Sequence, residues 1–304
     1  MSFQTTFMVS FALSLMTLPF SQSEAHYASI VMDTQSGSVL HEANADTPKY
    51  PASLVKMMTL YLTFEALTGN RIRLEQGLEI SKYAAGMAPS KLGLRVGQQL
   101  RAEEAILAIV TKSANDAAVV LAEALGGSEL KFAQMMNDKA HELGLTRTTF
   151  RNASGLPNRS QVSTARDMAT LAGALLRDFP QYYPYFSVTE FRYRDRTYYN
   201  HNRLIEKYLG ADGIKTGYTR AAGFNLAACV KRGEHRLIAV VLGGETAKSR
   251  DEHTIALLNH AFARIGVDVA SLVTASNVGV PGERRPKRRT QENRPRLGSG
   301  GPAR

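Results

Sequence analysis

Cysteine is almost absent from this sequence of 304 residues, which contains only Cys229, and that residue lies within an apolar run. A lone thiol excludes an intramolecular disulfide and a zinc site built from thiolates. The seven histidines include no His-Glu-x-x-His pair, and the spacing of His253 and His260 is more typical of surface or core positions than of paired ligands. We therefore expect no metal site and a buried, unreactive Cys229.

Glycine and proline are not abundant either, with 24 and 11 residues. Together with 44% hydrophobic and 21% charged residues, this composition excludes a disordered chain and a collagen, and it provides enough apolar material for a sizeable core. The length corresponds to two domains of roughly 150 residues, although single mixed-class folds also reach this size. No internal repeat is present.

Positive charge is concentrated near the C-terminus. Residues 276–304 carry eight Lys and Arg against Glu283 and Glu292, which is +6 of the total net charge of +10, together with several prolines. Such a segment cannot bury enough apolar surface to offset the entropy of ordering, so we expect a disordered tail over residues 271–304. The tail is either a solvated appendage or an electrostatic tether to anionic lipid or wall polymer. A nucleic-acid partner is not expected, because no aromatic residues are interleaved with the charges.

The N-terminus carries an apolar run over residues 7–20, followed by the small-residue pattern Ser23-Glu-Ala25. Fourteen residues are too few to span a bilayer comfortably, and the pattern predicts a secretory signal peptide over residues 1–25, with a mature chain that begins at His26. No Lys or Arg precedes Lys49, so the usual basic segment is missing and a weak membrane anchor is the alternative. Export would place the protein in the periplasm, where a single cysteine is suitable.

Apolar patterning predicts strands at both ends of the chain and helices between them. Strands are predicted over residues 27–33, 38–40, 214–218, 224–230 and 236–242. Helices are predicted over residues 53–67, 102–112, 116–125, 129–143 and 248–265, with one more that ends near Leu176. This order predicts a mixed α/β (α+β) fold whose antiparallel sheet unites both termini around a helical insertion.

Three short motifs carry hydroxyl and amine groups. Ser53 and Lys56 form Ser-x-x-Lys at a helix start, where Lys56 can serve as base for a Ser53 nucleophile if burial or a second cation lowers its pKa. Ser113 and Asn115 form Ser-x-Asn between two helices, where either residue is ordinarily a helix N-cap. Lys215-Thr-Gly217 lies in a predicted strand, where lysine is usually a solvated edge residue and glycine permits close approach of a backbone or ligand. Each motif alone is common.

Together, in this order and spacing, the motifs resemble the signature of the penicillin-recognising serine enzymes. The chain is most similar to the serine-type D-alanyl-D-alanine carboxypeptidases, the low-molecular-mass penicillin-binding proteins. The resemblance covers about residues 27–266, and further segments carry it: Pro51-Ala-Ser-Leu-Val-Lys-Met-Met-Thr59, Asn152-Ala-Ser-Gly-Leu-Pro157, Asp212-Gly-Ile-Lys-Thr-Gly-Tyr-Thr219 and Gly243-Gly-Glu-Thr-Ala-Lys-Ser-Arg250. It implies a β-lactamase-like antiparallel sheet flanked by helices, with a helical subdomain, and a DD-peptidase domain over residues 26–270.

The resemblance implies acyl transfer without a cofactor. Ser53 would attack the carbonyl between the two terminal D-alanines of a peptidoglycan stem pentapeptide, and β-lactams would acylate the same serine. Lys56 would take the proton and Ser113 would relay it to the leaving amine. The backbone N–H groups of Ser53 and Tyr218 would bind the oxyanion. Contacts to the substrate's amide and carboxylate are implied for Asn115, Lys215, Thr216, Gly217 and Arg250.

Three other activities fit the same motifs. A β-lactamase shares them, but no glutamate-bearing loop motif is recognisable between Asn115 and Lys215. A DD-endopeptidase would cut cross-links with the same residues, and a non-catalytic wall-binding protein could retain the fold. The best-studied family members also carry a β-rich second domain and a C-terminal amphipathic helix. We expect no membrane anchor of that kind here, because the segment after Ile265 is basic and rich in proline and glycine.

Overall fold

The computed structural model describes residues 27–267. The predicted signal peptide over residues 1–25 and the predicted tail over residues 271–304 lie outside this part of the chain. Within it, no helix combines the length and the hydropathy that crossing a membrane requires.

Five antiparallel strands form the main sheet, in the spatial order β2-β1-β9-β8-β7. Two small two-stranded antiparallel sheets, β3–β4 and β5–β6, stand apart from it. The strands are β1 (Ala28–Asp33), β2 (Val39–Ala43), β3 (Gly77–Glu79), β4 (Gln99–Arg101), β5 (Glu190–Tyr193), β6 (Arg196–Tyr199), β7 (Ala211–Thr219), β8 (Gly223–Arg232) and β9 (His235–Gly244). Because β1 pairs with β9, the sheet joins the two ends of the described chain, as the sequence predicts.

Helices cover both faces of the sheet. They are α1 (Lys56–Thr68), α2 (Lys82–Ala85), α3 (Ala102–Lys112), α4 (Asn115–Gly126), α5 (Glu129–Glu142), α6 (Ala165–Asp178), α7 (Leu204–Lys207) and α8 (Ala247–Arg264). Side chains alternate along β8: Ala227 and Cys229 face the large core that includes α1 and α6, whereas Leu226 and Ala228 pack with Ile255 of α8. The predicted antiparallel sheet with helices on both faces is confirmed.

Helix α1 runs through the helical layer and is buried on nearly every side; only Glu65 and the last residue, Thr68, escape full burial. Its own Phe64, and Phe132 of α5, lie in the core at 0% exposure. A helix that is apolar all round belongs in the interior of a protein. The first residue of this buried helix is Lys56, so the fold places an amine inside the core.

Cys229 is buried in β8, as its apolar run predicts. The Arg236 guanidinium donates a hydrogen bond to its Sγ at 3.2 Å. Burial raises the pKa of the thiol to about 11, so the thiol stays protonated at neutral pH. A protonated, inaccessible thiol is unreactive.

Candidate active site

Ser53 lies in a 3₁₀ turn, Ala52–Val55, that leads directly into α1. Ala52 adopts a φ of +48°, in the left-handed region, and strain of this kind persists only where the surroundings hold it. The turn brings the Ser53 Oγ to 3.1 Å from the Lys56 Nζ. A hydroxyl and an amine at this distance can exchange a proton directly.

Lys56 is fully buried, and its Nζ is within hydrogen-bond distance of three polar groups of the site. It donates to the Asn115 Oδ1 at 2.7 Å and to the Ser154 carbonyl oxygen. Burial and, second, the Lys215 cation hold the pKa of Lys56 well below its ordinary value, while the charges of Asp116 and Glu129 oppose the shift. A lysine with a depressed pKa is able to act as a general base.

The Ser-x-Asn motif lies where α3 ends and α4 begins. Ser113 closes α3 in a left-handed conformation, with φ +57°, and its buried Oγ has no hydrogen-bond partner within the described residues. The N-cap of α4 is Ala114 and no side chain caps it, so the interpretation of Ser113 or Asn115 as an N-cap is wrong. Instead Asn115 binds Lys56 through Oδ1, and its Nδ2 donates to the Ala88 carbonyl at 2.8 Å.

Lys215 belongs to β7, at the edge of the sheet, but it is only 1% exposed, so the description of a solvated edge lysine is wrong for this residue. Its Nζ donates to the Thr216 carbonyl oxygen at 3.1 Å. Burial lowers the pKa of Lys215 to about 7, and the nearby Arg250 charge contributes to the shift. The amine therefore changes its charge close to neutral pH.

Gly217 is the point where β7 meets the Ser53 turn. A Cβ at this position would lie 3.0 Å from the Ser53 N and 3.1 Å from the Pro51 carbonyl oxygen, both backbone atoms. Any side chain would therefore displace the turn. The close backbone approach predicted for this glycine is confirmed, and the next residue, Tyr218, lines the same cavity as Ser53.

Arg250 is 4% exposed on α8, although its sequence position would also fit a surface arginine. Its Nη1 donates to the Asn225 carbonyl oxygen at 3.1 Å, and its Nε and Nη2 donate to the Asp251 Oδ1 at 2.9 and 2.7 Å. The guanidinium is thus held in place by Asn225 and by an ion pair with Asp251. Its charge, together with that of the protonated form of Lys215, makes this end of the site suitable for an anion.

These groups surround a cavity of about 520 Å³. The two lysines are buried beside it, and within residues 27–267 no Asp or Glu side chain lines it. No group of His, Cys, Asp and Glu in this part of the chain is placed to hold a metal ion. The lining brings together the other seven residues named from the sequence: Ser53, Ser113, Asn115, Thr216, Gly217, Tyr218 and Arg250.

Sequence reasoning missed several residues of the site. His201, from the connection between β6 and α7, lines the cavity, and burial together with the Lys215 charge lowers its pKa to about 4. Glu129 is buried at the start of α5 and accepts hydrogen bonds from the Ala153 N and the Tyr83 hydroxyl. No motif surrounds these residues, and only the folded chain brings them to the site.

Comparison with known proteins agrees with this arrangement. The peptidase S11 family model, described as D-alanyl-D-alanine carboxypeptidase, matches residues 17–246. The chain belongs to this family. Among curated D-alanyl-D-alanine carboxypeptidases, it is 38% identical to DacF of Bacillus subtilis over 253 residues, covering 79% of this chain and 63% of the relative. It is 40% identical to DacC of Escherichia coli over 240 residues, covering 77% and 60%.

Solved structures of the penicillin-binding proteins give the same result. Penicillin-binding protein 5 of Haemophilus influenzae matches with a TM-score of 0.75 and 35% identity, covering 78% of this chain and 70% of that one. Penicillin-binding protein D2 of Listeria monocytogenes in its cefotaxime-bound form matches with a TM-score of 0.71 and 32% identity, covering 77% and 96%. The carboxypeptidase family membership is thus matched in fold, although the chain spans only about 60% of the length of the curated relatives.

Proposed function

We propose that this chain is a serine DD-carboxypeptidase that removes the terminal D-alanine from peptidoglycan stem pentapeptides through an acyl-enzyme on Ser53, and that β-lactams acylate the same serine. The observation that carries the proposal is the buried Lys56 amine, 3.1 Å from the Ser53 Oγ and with a depressed pKa. The related Listeria protein has been solved in cefotaxime- and ampicillin-bound forms, which supports acylation by β-lactams here.

In the proposed reaction, neutral Lys56 removes the Ser53 proton as the oxygen attacks the penultimate D-alanine carbonyl. The backbone N–H groups of Ser53 and Tyr218 bind the negative charge that develops on the carbonyl oxygen. Ser113 then passes the proton to the departing D-alanine amine, a role that fits a buried hydroxyl without a partner in the described chain. Water completes the cycle by hydrolysing the acyl-enzyme.

In this proposal, successive residues of β7 bind different parts of the substrate. The charges of Lys215 and Arg250, with Thr216, bind the terminal carboxylate, and Gly217 presents its backbone to the peptide next to Ser53, because it has no Cβ to hold β7 away from the Ser53 turn. Asn115 has one Nδ2 hydrogen left after its bond to Ala88, and this hydrogen is available for the substrate's amide carbonyl. The ligands of this site are the stem peptide and the β-lactams, with no cofactor and no nucleic acid.

The test is intact-mass spectrometry after brief exposure to a labelled penicillin, followed by peptide mapping, a chase, and an assay of D-alanine release from a pentapeptide. We expect a stable adduct on Ser53, D-alanine release, and loss of both in Ser53→Ala. Ser36→Ala, an exposed serine remote in sequence from the motifs, is the matched control.

The other outcomes identify the alternatives. No Asp or Glu side chain of the described residues lines the cavity, so we expect the acyl-enzyme to be hydrolysed slowly. Rapid loss of the adduct with product formation would instead indicate a β-lactamase. Cleavage of cross-linked peptides without D-alanine release would indicate a DD-endopeptidase. A folded protein that forms no adduct would be a wall-binding protein.

We also propose export to the periplasm after removal of residues 1–25. The apolar run over residues 7–20 and the small residues before His26 support this localisation. N-terminal sequencing of the protein from a periplasmic fraction should begin at His26, whereas an intact N-terminus in the membrane fraction would favour the anchor.

A further inference from the structure

A second cavity, of about 390 Å³, adjoins the catalytic one. The two share Gly155, Leu156, Pro157 and Thr219 in their walls. Tyr50 and Arg159 line only the second cavity. Nothing in the acyl-transfer steps described above uses this space, yet it opens beside the serine.

The edge strand β7 connects the two cavities. Thr216, Gly217 and Tyr218 line the catalytic cavity, Thr219 lines both, and Ala221 lines only the second. A peptide whose terminal carboxylate lies at the Lys215 end, as the proposed function requires, runs along this edge toward Thr219, because a free sheet edge binds an extended peptide as an added strand. At roughly 3.3 Å per residue, the second and third residues on the acyl side of the scissile bond reach the second cavity.

The loop that carries the shared wall is well held. The Gln161 side chain is 3% exposed, and its Oε1 accepts hydrogen bonds from the Arg151 N at 2.8 Å and the Asn152 N at 3.2 Å. The Asn152 Oδ1 in turn accepts from the Gly155 N at 2.7 Å. Residues 151–161 therefore form an ordered wall rather than a loosely attached segment.

Arg159 is the only charged residue that lines this second cavity within the described chain. It is exposed, and it makes no ion pair or side-chain hydrogen bond with any described residue. An unpaired guanidinium at the mouth of a cavity next to the acyl-donor path is suited to a carboxylate, which it can bind with two parallel hydrogen bonds.

We propose that the second cavity binds the acyl-donor part of the stem peptide, and that Arg159 recognises a free carboxylate on the second residue upstream of the scissile bond, the one that precedes D-Ala-D-Ala. This inference rests on the proposed function and adds the substrate's charge preference to it. A stem peptide with that carboxylate amidated is then the poorer substrate.

The experiment uses two synthetic peptides that end in D-Ala-D-Ala and differ only in the preceding residue, whose side chain ends in a carboxylate or in its amide. We expect wild-type kcat/KM to be about fivefold higher for the carboxylate peptide, near the upper end for an exposed ion pair, and the preference to shrink at high salt. Arg159→Ala should abolish the preference and Arg159→Glu should reverse it. Arg151→Ala, an exposed arginine of the same loop outside both cavities, should retain it.

The rate of penicillin acylation and the turnover of the amide peptide measure the proposed function separately from this preference. Equal kcat/KM for both peptides in the wild type, or an unchanged ratio in Arg159→Ala, would overturn the inference while leaving the carboxypeptidase intact. If neither peptide is hydrolysed, calorimetry measures the affinity of each peptide for the Ser53→Ala variant. The carboxylate peptide should bind more tightly than the amide peptide, and equal affinities would overturn the inference about Arg159.

Discussion

Lys215 and Lys56 are both buried amines with lowered pKa values, but the proposed mechanism requires opposite charge states of them. Lys56 must be neutral to accept a proton, and Lys215 must be charged to bind the substrate carboxylate. Since burial lowers the pKa of Lys215 to about 7, its charged form is present below that pH and is lost above it. The two requirements are met together only over a limited range of pH.

We therefore expect kcat/KM for a peptide with a free C-terminal carboxylate to fall as the pH rises through about 7. Lys215→Arg keeps a positive charge throughout this range, so the alkaline fall near pH 7 should disappear, even if the maximum rate is lower. The measurement is a pH–rate profile from pH 5.5 to 9. The control is the wild-type pH profile with the C-terminal amide of the same peptide, which should lack the fall near pH 7. If Lys215→Arg shows the same alkaline fall as the wild type, the fall is caused by the titration of a group other than Lys215.

Glu129 influences the site without lining the cavity. Its carboxylate accepts a hydrogen bond from the Ala153 N at 2.9 Å, and the carbonyl of the next residue, Ser154, accepts from Lys56. Its negative charge also favours the protonated form of Lys56. Glu129 is thus a positioning residue with an electrostatic effect on the base.

Glu129→Gln removes that charge and keeps the size of the side chain. We expect the acid limb of the pH profile for penicillin acylation to move to lower pH, because the pKa of Lys56 falls further when an opposing charge is removed. Glu123→Gln is the matched control: Glu123 accepts from the Ser81 hydroxyl, and no interaction of it with Lys56 contributes to that pKa. An unmoved acid limb would restrict Glu129 to holding the loop.

Among the structural elements, the loop of residues 151–161 depends on its packing against the Ser53 turn. Gly155 has a φ of +81°, and a Cβ there would lie 2.0 Å from the Ala52 carbonyl oxygen. Gly144 has a φ of +74° with nothing within 4 Å of its Cβ position. Substitutions at the two glycines thus separate the free-energy cost of a left-handed conformation from the cost of a collision with the Ser53 turn.

Gly144→Ala should cost about 1–2 kcal/mol of unfolding free energy and leave acylation unchanged. Gly155→Ala should cost more and should also slow acylation of Ser53 by at least about tenfold, since a displacement of about 1 Å at a catalytic group has large effects on rate. Urea unfolding and the penicillin acylation rate measure the two effects. Equal behaviour of both variants would mean that the loop does not set the position of the turn.

The sequence predicts long elements with a regular apolar period well, and short elements poorly. Helix α3 has the predicted bounds, residues 102–112, because its apolar stripe is regular. The strands of the two small sheets, β3–β4 and β5–β6, have three or four residues each, too few for a period to be seen. The three motifs were found by their joint resemblance to the signature of a known family. Ser113 is not a helix N-cap, because it ends α3 in a left-handed conformation.

Contacts between distant segments limited the prediction of the site as well. The burial of Lys215 comes from the packing around β7, which the pattern of β7 itself does not reveal. His201 entered the cavity from a connection that has no motif, and its backbone N is held by the Thr111 carbonyl at 3.2 Å. The local sequence pattern does not predict the position of a side chain that is determined by packing between distant segments.

At the scale of the whole molecule, the five-stranded sheet and the helices on both of its faces lie within residues 27–267. We expect that removal of residues 268–304 leaves the penicillin acylation rate and the Tm nearly unchanged. If the basic tail is an electrostatic tether, the same truncation should abolish salt-sensitive binding to anionic vesicles, since each basic residue near such a surface contributes about 1 kcal/mol. Co-sedimentation with vesicles of increasing anionic lipid content checks this. Equal binding by both forms would leave the tail as a solvated appendage.

The pairing of β1 with β9, which places Ile30 opposite Val240, also fixes when the domain can be completed. Of the five strands of the main sheet, β1 leaves the ribosome first and its partner β9 leaves last. At about 5–20 residues per second, the roughly two hundred residues between them take about 10–40 s to synthesise. Until β9 has been synthesised, β1 cannot pair with it and the five-stranded sheet cannot form. Pairing of β1 with β9 is therefore a late event of biosynthesis, and before it occurs the incompletely folded chain can still pass through a narrow channel.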